Sequence, residues 1–221
     1  FGFPHHASVR YKKGTTMKIT ITKEQLATLD RVSFNGNIHI VDTLPKLDMA
    51  ITKLKEHNTL GFDTETRPSF KKGISHSVAL MQISTLTDCY LIRINKIGMP
   101  STLRMFLEDG TITKVGLSLK DDFGVIHKGY DAEMSGFVDL QKIVPTFNIA
   151  DASLQKIYAI LFDKRISKGQ RLSNWEADTL SGAQQEYAAI DAWACLKIYQ
   201  YLNSGNFIPT ESKYVVNENE D

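Results

Sequence analysis

The sequence predicts an α/β fold in which α-helices pack on a mixed β-sheet. Short apolar segments typical of buried strands are concentrated between residues 38 and 119, and only two helical segments interrupt them. In the second half of the chain, apolar residues recur at helical spacing instead. Strands that come first and helices that follow favour helices packed on a mixed sheet over a symmetric βαβ repeat.

The elements follow one another with short connections. The first strand is followed by a helix that has Pro45 in its first turn, a position that suits proline. Strands are expected at residues 38–41, 60–66, 77–85, 88–94 and 112–119. Helices are expected at residues 44–54, 99–107, 121–130, 153–162 and 182–202, and the chain beyond residue 148 looks helical.

The composition is that of an ordinary globular protein. The 221 residues suit one domain, and 26 Lys and Arg residues against 25 Asp and Glu residues give a net charge that selects no class of partner. We expect an N-terminal extension at residues 1–37, one domain at 38–205 and a flexible, polar, acidic tail at 206–221. Residues 1–16 lack the apolar block of a signal peptide, and Met17 suits a native start, so we expect this leader not to be native.

The cysteine content indicates a reducing compartment. Cys89 and Cys195 both lie in apolar segments and offer neither a disulfide framework nor zinc-ligand spacing. No apolar segment approaches the roughly 18 residues that span a bilayer. We therefore expect a cytoplasmic protein without a membrane partner.

Two acidic residues interrupt the strand at residues 60–66. Asp63 and Glu65 lie two positions apart, so both carboxylates should point to the same face of the strand. A strand end that reaches solvent would explain such a pair without any function. The apolar residues before it instead place the pair near the sheet interior, where two unpaired carboxylates repel each other. A divalent cation would relieve this repulsion, and oxygen ligands suit Mg²⁺ or Mn²⁺.

Two further segments carry acids in unusual places. Asp121 and Asp122 begin a helix directly after a strand, where one of them is expected to be the N-cap and the other remains free. Tyr187 and Asp191 lie one turn apart on the same face of an otherwise apolar helix. Each pair alone is also compatible with an ordinary capped or exposed helix.

The ordered set of these motifs resembles the DEDD superfamily of 3′–5′ exonucleases, in the subgroup that carries a tyrosine in its last motif. The segments FDTE with VALMQIS, and LSNWEADTLSGAQQEYAAIDAWACLKIY, are similar to the Werner syndrome-type exonuclease domain and to ribonuclease D. The resemblance covers residues 38–203. It implies a ribonuclease H-like mixed sheet flanked by helices.

The resemblance also implies roles for individual residues. Asp63, Glu65, Asp122 and Asp191 take the places of the four acids that bind two divalent cations, Mg²⁺ or Mn²⁺, with Asp63 bridging them. Spacing from the preceding strand favours Asp122 over Asp121, which would then be the cap. Asp139 is interpreted as a structural residue at a helix start.

The implied chemistry is hydrolysis at the 3′ end of a nucleic acid. Two cations suit in-line phosphoryl displacement, and nucleoside 5′-monophosphates would be released one at a time. Tyr187 would position the attacking water, since a tyrosine with a pKa of about 10 is a poor base.

Basic and aromatic residues near the acids are candidates for substrate contacts. Phosphate contacts are expected from Arg67, Lys71, Lys72, Lys168 and Arg171, with Lys164 and Arg165 as further candidates. Trp175 or Phe123 could stack on a terminal base. Each of these side chains has an ordinary alternative, because surface cations are mostly solvated and aromatic residues mostly belong to the core.

Several alternatives remain open at the level of sequence. They are a ribonuclease D-like exoribonuclease, an inactive nucleic-acid-binding module, a glycosidase with two carboxylates, and an inert scaffold. Flanking segments favour the Werner-type branch, and therefore DNA over RNA and a role in DNA repair. Discrimination between DNA and RNA depends on contacts to the 2′-hydroxyl, which a sequence does not locate.

Overall fold

A computed structural model of the chain describes residues 15–69 and 76–219. The strands are β1 Thr15–Ile19, β2 Asn37–Val41, β3 Thr59–Thr66, β4 Val78–Ser84, β5 Asp88–Ile92, β6 Thr113–Gly116, β7 Phe137–Asp139 and β8 Val215–Asn219. The helices are α1 Lys23–Thr28, α2 Leu44–Leu54, α3 Ile94–Ile97, α4 Ser101–Glu108, α5 Leu119–Gly129, α6 Leu140–Ile143, α7 Leu154–Phe162 and α8 Gly182–Asn203.

Six of the strands form one mixed sheet in the order β2-β5-β4-β3-β6-β7. Strand β4 is antiparallel to both of its neighbours, whereas β2 is parallel to β5, and β6 is parallel to β3 and β7. Helices cover the sheet on both faces. The predicted α/β class, a mixed sheet flanked by helices, is therefore confirmed.

The two faces of the sheet have separate apolar cores. Phe62 and Met81 belong to the core formed with α2, α4 and α5. Leu80 and Cys89 belong to the core formed with α7 and α8. Side chains alternate between the faces along each strand, so the odd-numbered residues of β3 face α8.

The region after residue 148 is less helical than predicted. Residues 163–181, between α7 and α8, contain no regular helix or strand. This segment is instead held by side chains of the sheet and its flanks: the guanidinium of Arg93 donates to the carbonyls of Ala177 and Asp178. Trp175 and Leu180, which belong to this segment, are buried in the core.

Residues 206–219 do not form the flexible tail that the sequence predicted, because they include strand β8. Strand β8 pairs antiparallel with β1, from Ile19 with Val215 to Thr15 with Asn219. Phe207 and Tyr214 are buried, and the hydroxyl of Tyr214 donates a hydrogen bond to the carboxylate of Asp163 at 2.8 Å. A pairing between residues about 200 positions apart is invisible to local sequence patterns. Most of the predicted N-terminal leader lies outside the described residues.

No helix among the described residues has the length and apolar character needed to cross a membrane.

Candidate active site

Strand β3 and helix α8 bring three carboxylates together. Each of Asp63, Glu65 and Asp191 has a carboxylate oxygen within 4.8 Å of the others'. Asp63 and Glu65 lie on the same face of β3, as the period of the strand predicted. Asp191 is 8% exposed. The cluster therefore lies where the middle of α8 crosses β3.

Small residues make this crossing close. A β-carbon at Gly61, two residues before Asp63, would overlap the carbonyl oxygen of Ala192. On the helix side, Ala188 and Ala192 are fully buried. The backbone of α8 therefore lies almost directly on β3, and Asp191 reaches the two strand carboxylates.

Burial and mutual repulsion oppose ionisation of the three acids. Burial, followed by the charges of Asp191 and Glu65, raises the pKa of Asp63 well above its ordinary value. Burial, followed by the charge of Asp191, raises the pKa of Glu65 to about 9, although Arg171 acts in the opposite direction. Burial also raises the pKa of Asp191 to about 7.

These three residues fit a divalent cation. A positive charge between the carboxylates would favour the ionised forms that burial and repulsion now disfavour. All the donors are oxygen atoms, which suit hard cations such as Mg²⁺ and Mn²⁺. The three residues could therefore hold a divalent cation, and their chemistry does not indicate which one.

Asp122 lies beside this cluster but outside the group of three. Its carboxylate accepts a hydrogen bond from the hydroxyl of Thr64. The side chain of Thr64 lies on the opposite face of β3 from Asp63 and Glu65. Burial raises the pKa of Asp122 to about 6, and the bond from Thr64 opposes that rise. The charge of Asp122 contributes to the raised pKa of both Asp63 and Glu65, which supports Asp122 over the exposed Asp121 as the middle acid.

The start of α5, which carries Asp122, depends on Asp139. The expected cap at Asp121 is wrong, because α5 begins at Leu119 and its N-cap is Ser118 in a left-handed conformation, with φ of 61°. The carboxylate of Asp139 accepts from the backbone N–H of Ser118 at 3.1 Å and of Leu119 at 3.0 Å. It also caps α6 by accepting from Gln141 N–H at 2.9 Å. The structural role of Asp139 at a helix start is thus confirmed, and this one residue serves two helices.

Tyr187 lies one turn before Asp191 and contacts the cluster. Burial, followed by the charges of Asp191 and Glu65, raises the pKa of its hydroxyl far above the ordinary value. The interaction of that hydroxyl with Asp191 favours the ionised form of the acid. Tyr187 therefore keeps its proton at neutral pH and can act as a hydrogen-bond donor, but not as a base.

Trp175 does not present a surface for base stacking. Its side chain is fully buried, and its ring centre lies 6.0 Å from that of Tyr187. The prediction of a stacking role was wrong because the segment before α8 folds inward over the tyrosine. Trp175 instead packs behind Tyr187. Phe123 is partly buried and packs edge-to-face on Phe137 against the core.

The predicted phosphate contacts have different outcomes. Arg171 and Lys168 are exposed, and Arg171 is close enough to lower the pKa of Glu65. Arg67 is half exposed and pairs with Glu176 at 3.3 Å. Lys71 and Lys72 lie outside the described residues. The two further candidates, Lys164 and Arg165, are directed to Asp30 and to the carbonyl of Leu29.

Sequence reasoning missed Gln82. This residue is directly opposite Asp63 in the pairing of β3 with β4, so the two side chains share a face. Gln82 is fully buried, and neither its amide nitrogen nor its amide oxygen has a partner among the described residues. A glutamine in the otherwise apolar segment VALMQIS was the available signal, but only the strand register relates it to Asp63.

Comparisons with known proteins relate the chain to 3′–5′ exonucleases. A family model described as 3′–5′ exonuclease matches residues 38–205. The bifunctional 3′–5′ exonuclease/ATP-dependent helicase WRN of Mus musculus is 31% identical over 175 residues, which are 76% of this chain and 12% of the relative. A 3′–5′ exonuclease of Arabidopsis thaliana is 33% identical over 149 residues, which are 65% of this chain and 52% of the relative.

The fold of the chain is also similar to that of a solved structure. The crystal structure of Escherichia coli RNase D superposes with a TM-score of 0.69 at 22% identity, over 75% of this chain and 44% of that one. This confirms the ribonuclease H-like expectation for the fold. The chain spans about an eighth to a half of the length of the curated relatives described above. Because the family model covers residues 38–205, the chain belongs to the 3′–5′ exonuclease family.

Proposed function

We propose that the protein hydrolyses the terminal phosphodiester bond at the 3′ end of a nucleic acid and releases nucleoside 5′-monophosphates. The observation that carries the proposal is the buried group of Asp63, Glu65 and Asp191, whose carboxylate oxygens lie within 4.8 Å of one another. A structural core has no need of three adjacent acids that resist ionisation. A hydrolase that binds divalent cations does need such a group.

The cations in this proposal are two Mg²⁺ or Mn²⁺ ions held by Asp63, Glu65, Asp122 and Asp191. When bound, they would supply a water with a lowered pKa and stabilise the charge on the leaving 3′ oxygen. To hold a cation, the carboxylate of Asp122 would give up the hydrogen bond that it accepts from the hydroxyl of Thr64. Support for its inclusion comes from its electrostatic effect on Asp63 and Glu65.

Tyr187 is proposed to orient the attacking water by donating a hydrogen bond. Its raised pKa keeps the hydroxyl protonated, so that a donor faces the cluster of acceptors. Trp175 packs against its ring and limits its movement. The proton of the attacking water would therefore pass to one of the carboxylates and not to Tyr187.

The substrate strand is proposed to approach over the exposed cations beside the cluster. Arg171 and Lys168 belong to the segment between α7 and α8, and Arg67 follows β3 directly. Such contacts to phosphate give affinity without sequence preference. DNA is proposed over RNA because of the likeness of the segments around Asp63 to the Werner-type branch.

A labelled-oligonucleotide assay tests the activity. DNA and RNA strands labelled at the 5′ end, both single-stranded and with recessed 3′ ends, are incubated with Mg²⁺, with Mn²⁺ or with EDTA. We expect a ladder that shortens from the 3′ end only with a cation present. The variant Asp63→Asn should abolish it, and the matched variant Asp121→Asn, at an exposed neighbouring acid, should retain it. A product pattern that EDTA and Asp63→Asn leave unchanged would reject the proposal.

A reducing, cytoplasmic location is also proposed. Cys89 and Cys195 are both buried, unpaired thiols. Burial raises the pKa of each thiol above its ordinary value, which keeps both in the unreactive protonated form. Fractionation of cells that express a tagged full-length protein tests the location.

A further inference from the structure

A cavity of about 920 Å³ lies away from the carboxylate cluster, between the segment before β2, the turn before β5, and helices α7 and α8. We call it the basic pocket. Its cations are Arg31, Lys164 and Lys197, and its aromatic residues are Phe34, Tyr158, Phe162 and Trp193. No Asp or Glu lines it among the residues that the structure describes. Nothing in the proposed exonuclease chemistry uses these residues.

The basic pocket lies on the other side of α8 from the candidate active site. Trp193 and Lys197 are two and six positions after Asp191, which places them about 200° and 240° around a helix of 3.6 residues per turn. Tyr187 and Asp191 share the opposite side and face β3. A ligand in the basic pocket would therefore be separated from the three acids by the helix itself.

Lys197 is a cation in aromatic surroundings. Its amino nitrogen lies 4.7 Å from the ring centres of Phe162 and Trp193 and 5.6 Å from that of Tyr158. It donates a hydrogen bond to the Tyr158 hydroxyl at 3.3 Å. Within the described part of the chain it forms no ion pair with a carboxylate. The rings hold the amino group in place but leave its charge without an anion.

The other two cations add to this excess of positive charge. Arg31 is exposed and has no ion pair with any described residue. Among the described residues, Lys164 pairs with Asp30 alone, at 3.3 Å, and the Asp30 side chain is 85% exposed to solvent. Such an exposed pair contributes little and is readily exchanged for another anion. The pocket therefore combines a partly exposed indole ring with at least two cations that have no carboxylate partner in the described part of the chain.

We propose that the basic pocket binds a nucleotide unit, with its phosphate on Lys197 and Arg31 and its base against Trp193. Lysine and arginine are the common partners of phosphate, and every base can stack on an indole ring. The cavity volume lies within the range of small-molecule sites. The same chemistry serves a free mononucleotide and one unit of a nucleic-acid strand, and the test below separates the two.

Binding is measured without catalysis, so the result is independent of the proposed exonuclease activity. The variant Asp63→Asn in EDTA is titrated with AMP, with a single-stranded oligonucleotide and with inorganic phosphate. The readouts are calorimetry and the ligand-induced change in tryptophan fluorescence, because the partly exposed Trp193 can contact a ligand directly and the fully buried Trp175 cannot. We expect saturable binding of the nucleotide ligands that Lys197→Met and Arg31→Gln each weaken by about tenfold, the loss of one charged hydrogen bond.

Three variants control the interpretation. Lys197→Arg preserves the charge and should retain most of the affinity. Lys53→Met, at an exposed lysine of α2 on the other face of the sheet, should leave it unchanged. Arg31 is exposed, so Arg31→Gln keeps the test informative even where Lys197→Met fails to fold.

Each ligand gives a distinct outcome. Binding of AMP that Lys197→Met and Arg31→Gln weaken supports a pocket for free nucleotides. Binding of the oligonucleotide alone, with the same dependence on Lys197 and Arg31, supports a pocket for a strand. Inorganic phosphate that binds as tightly as AMP would overturn the role of the base. Absence of saturable binding, or binding that Lys197→Met and Arg31→Gln leave unchanged, would overturn the proposal.

Discussion

Gly61 of β3 lies directly against the backbone carbonyl of Ala192 in α8, with no room for a β-carbon between them. Asp63 follows this glycine by two residues, and Asp191 precedes the alanine by one. The close contact of strand and helix therefore sets the distance between the two acids. The glycine before the acidic pair is part of the site, although it has no functional group.

Substitution Gly61→Ala should displace α8 from β3 and separate the carboxylates. Overpacking of this kind costs about 1–3 kcal/mol of unfolding free energy. We expect a lower melting temperature together with a weakened response to Mn²⁺ in the same variant. Thermal denaturation with and without Mn²⁺ measures both effects.

A second glycine provides the control for Gly61→Ala. A β-carbon at Gly182, in the first turn of the same helix, meets no atom within 4 Å. Gly182→Ala should therefore leave stability and Mn²⁺ binding close to those of the wild type. Equal behaviour of the two variants would contradict the role assigned to the contact at Gly61.

Substitution Gln82→Met should separate stability from cation binding. The buried amide has no partner among the described residues, so an apolar side chain of similar shape should not lower the melting temperature of the metal-free protein. We expect Mn²⁺ affinity and nuclease rate to fall, because the amide is the polar side chain directly opposite Asp63.

The conservative control for that position is Met81→Leu. Met81 lies on the same strand but packs into the core on the other face of the sheet. Its substitution should change Mn²⁺ affinity little. Unchanged affinity in Gln82→Met would show that the orphan amide has no role at the site.

The metal-free protein should lose stability as the pH rises from about 5 to about 9. The pKa of Glu65 is about 9 in the folded protein, against roughly 4.3 when unfolded, so the folded state binds more protons between these values. Unfolding then becomes more favourable as the pH rises. Asp122 and Asp191, with pKa values of about 6 and about 7, contribute in the lower part of this range.

The variant Glu65→Gln isolates this effect. In EDTA, its melting temperature should exceed that of the wild type by a margin that grows from pH 5 to pH 9. Mn²⁺ should reduce the margin by stabilising only the wild type. A margin that does not depend on pH would contradict the electrostatic description of the cluster.

Substitution Asp139→Ala should destabilise the start of α5 and the position of Asp122 together. Three backbone N–H groups, of Ser118, Leu119 and Gln141, lose their acceptor. The loss of such a cap costs about 1–2 kcal/mol of unfolding free energy. Chemical denaturation measures it, and the exposed Asp121→Ala should stay within about 0.5 kcal/mol of the wild type. A loss in Asp121→Ala as large as that in Asp139→Ala would contradict this.

Local periodicity was enough to place Asp63 and Glu65 on one face of a strand and Tyr187 and Asp191 on one face of a helix. The order of elements was enough for the α/β class. These inferences depend only on residues that are near one another in sequence, where the periods of strand and helix are fixed.

Features that depend on distant parts of the chain were not predictable in the same way. The burial of Trp175 depends on Arg93, which holds the neighbouring segment from another part of the sheet. The capping of α5 by Asp139 involves residues about 20 positions apart. The close contact between Gly61 and α8 depends on the register of packing, which sequence spacing does not encode.

Calorimetric titration of Mn²⁺ into the metal-free protein tests the central claim most directly, because it asks whether Asp63, Glu65 and Asp191 hold a divalent cation. The wild type and Asp121→Asn should both show saturable binding. Asp63→Asn and Asp191→Asn, each confirmed as folded by circular dichroism, should lose it. Equal binding by all four proteins, or no binding by the wild type, would contradict the claim.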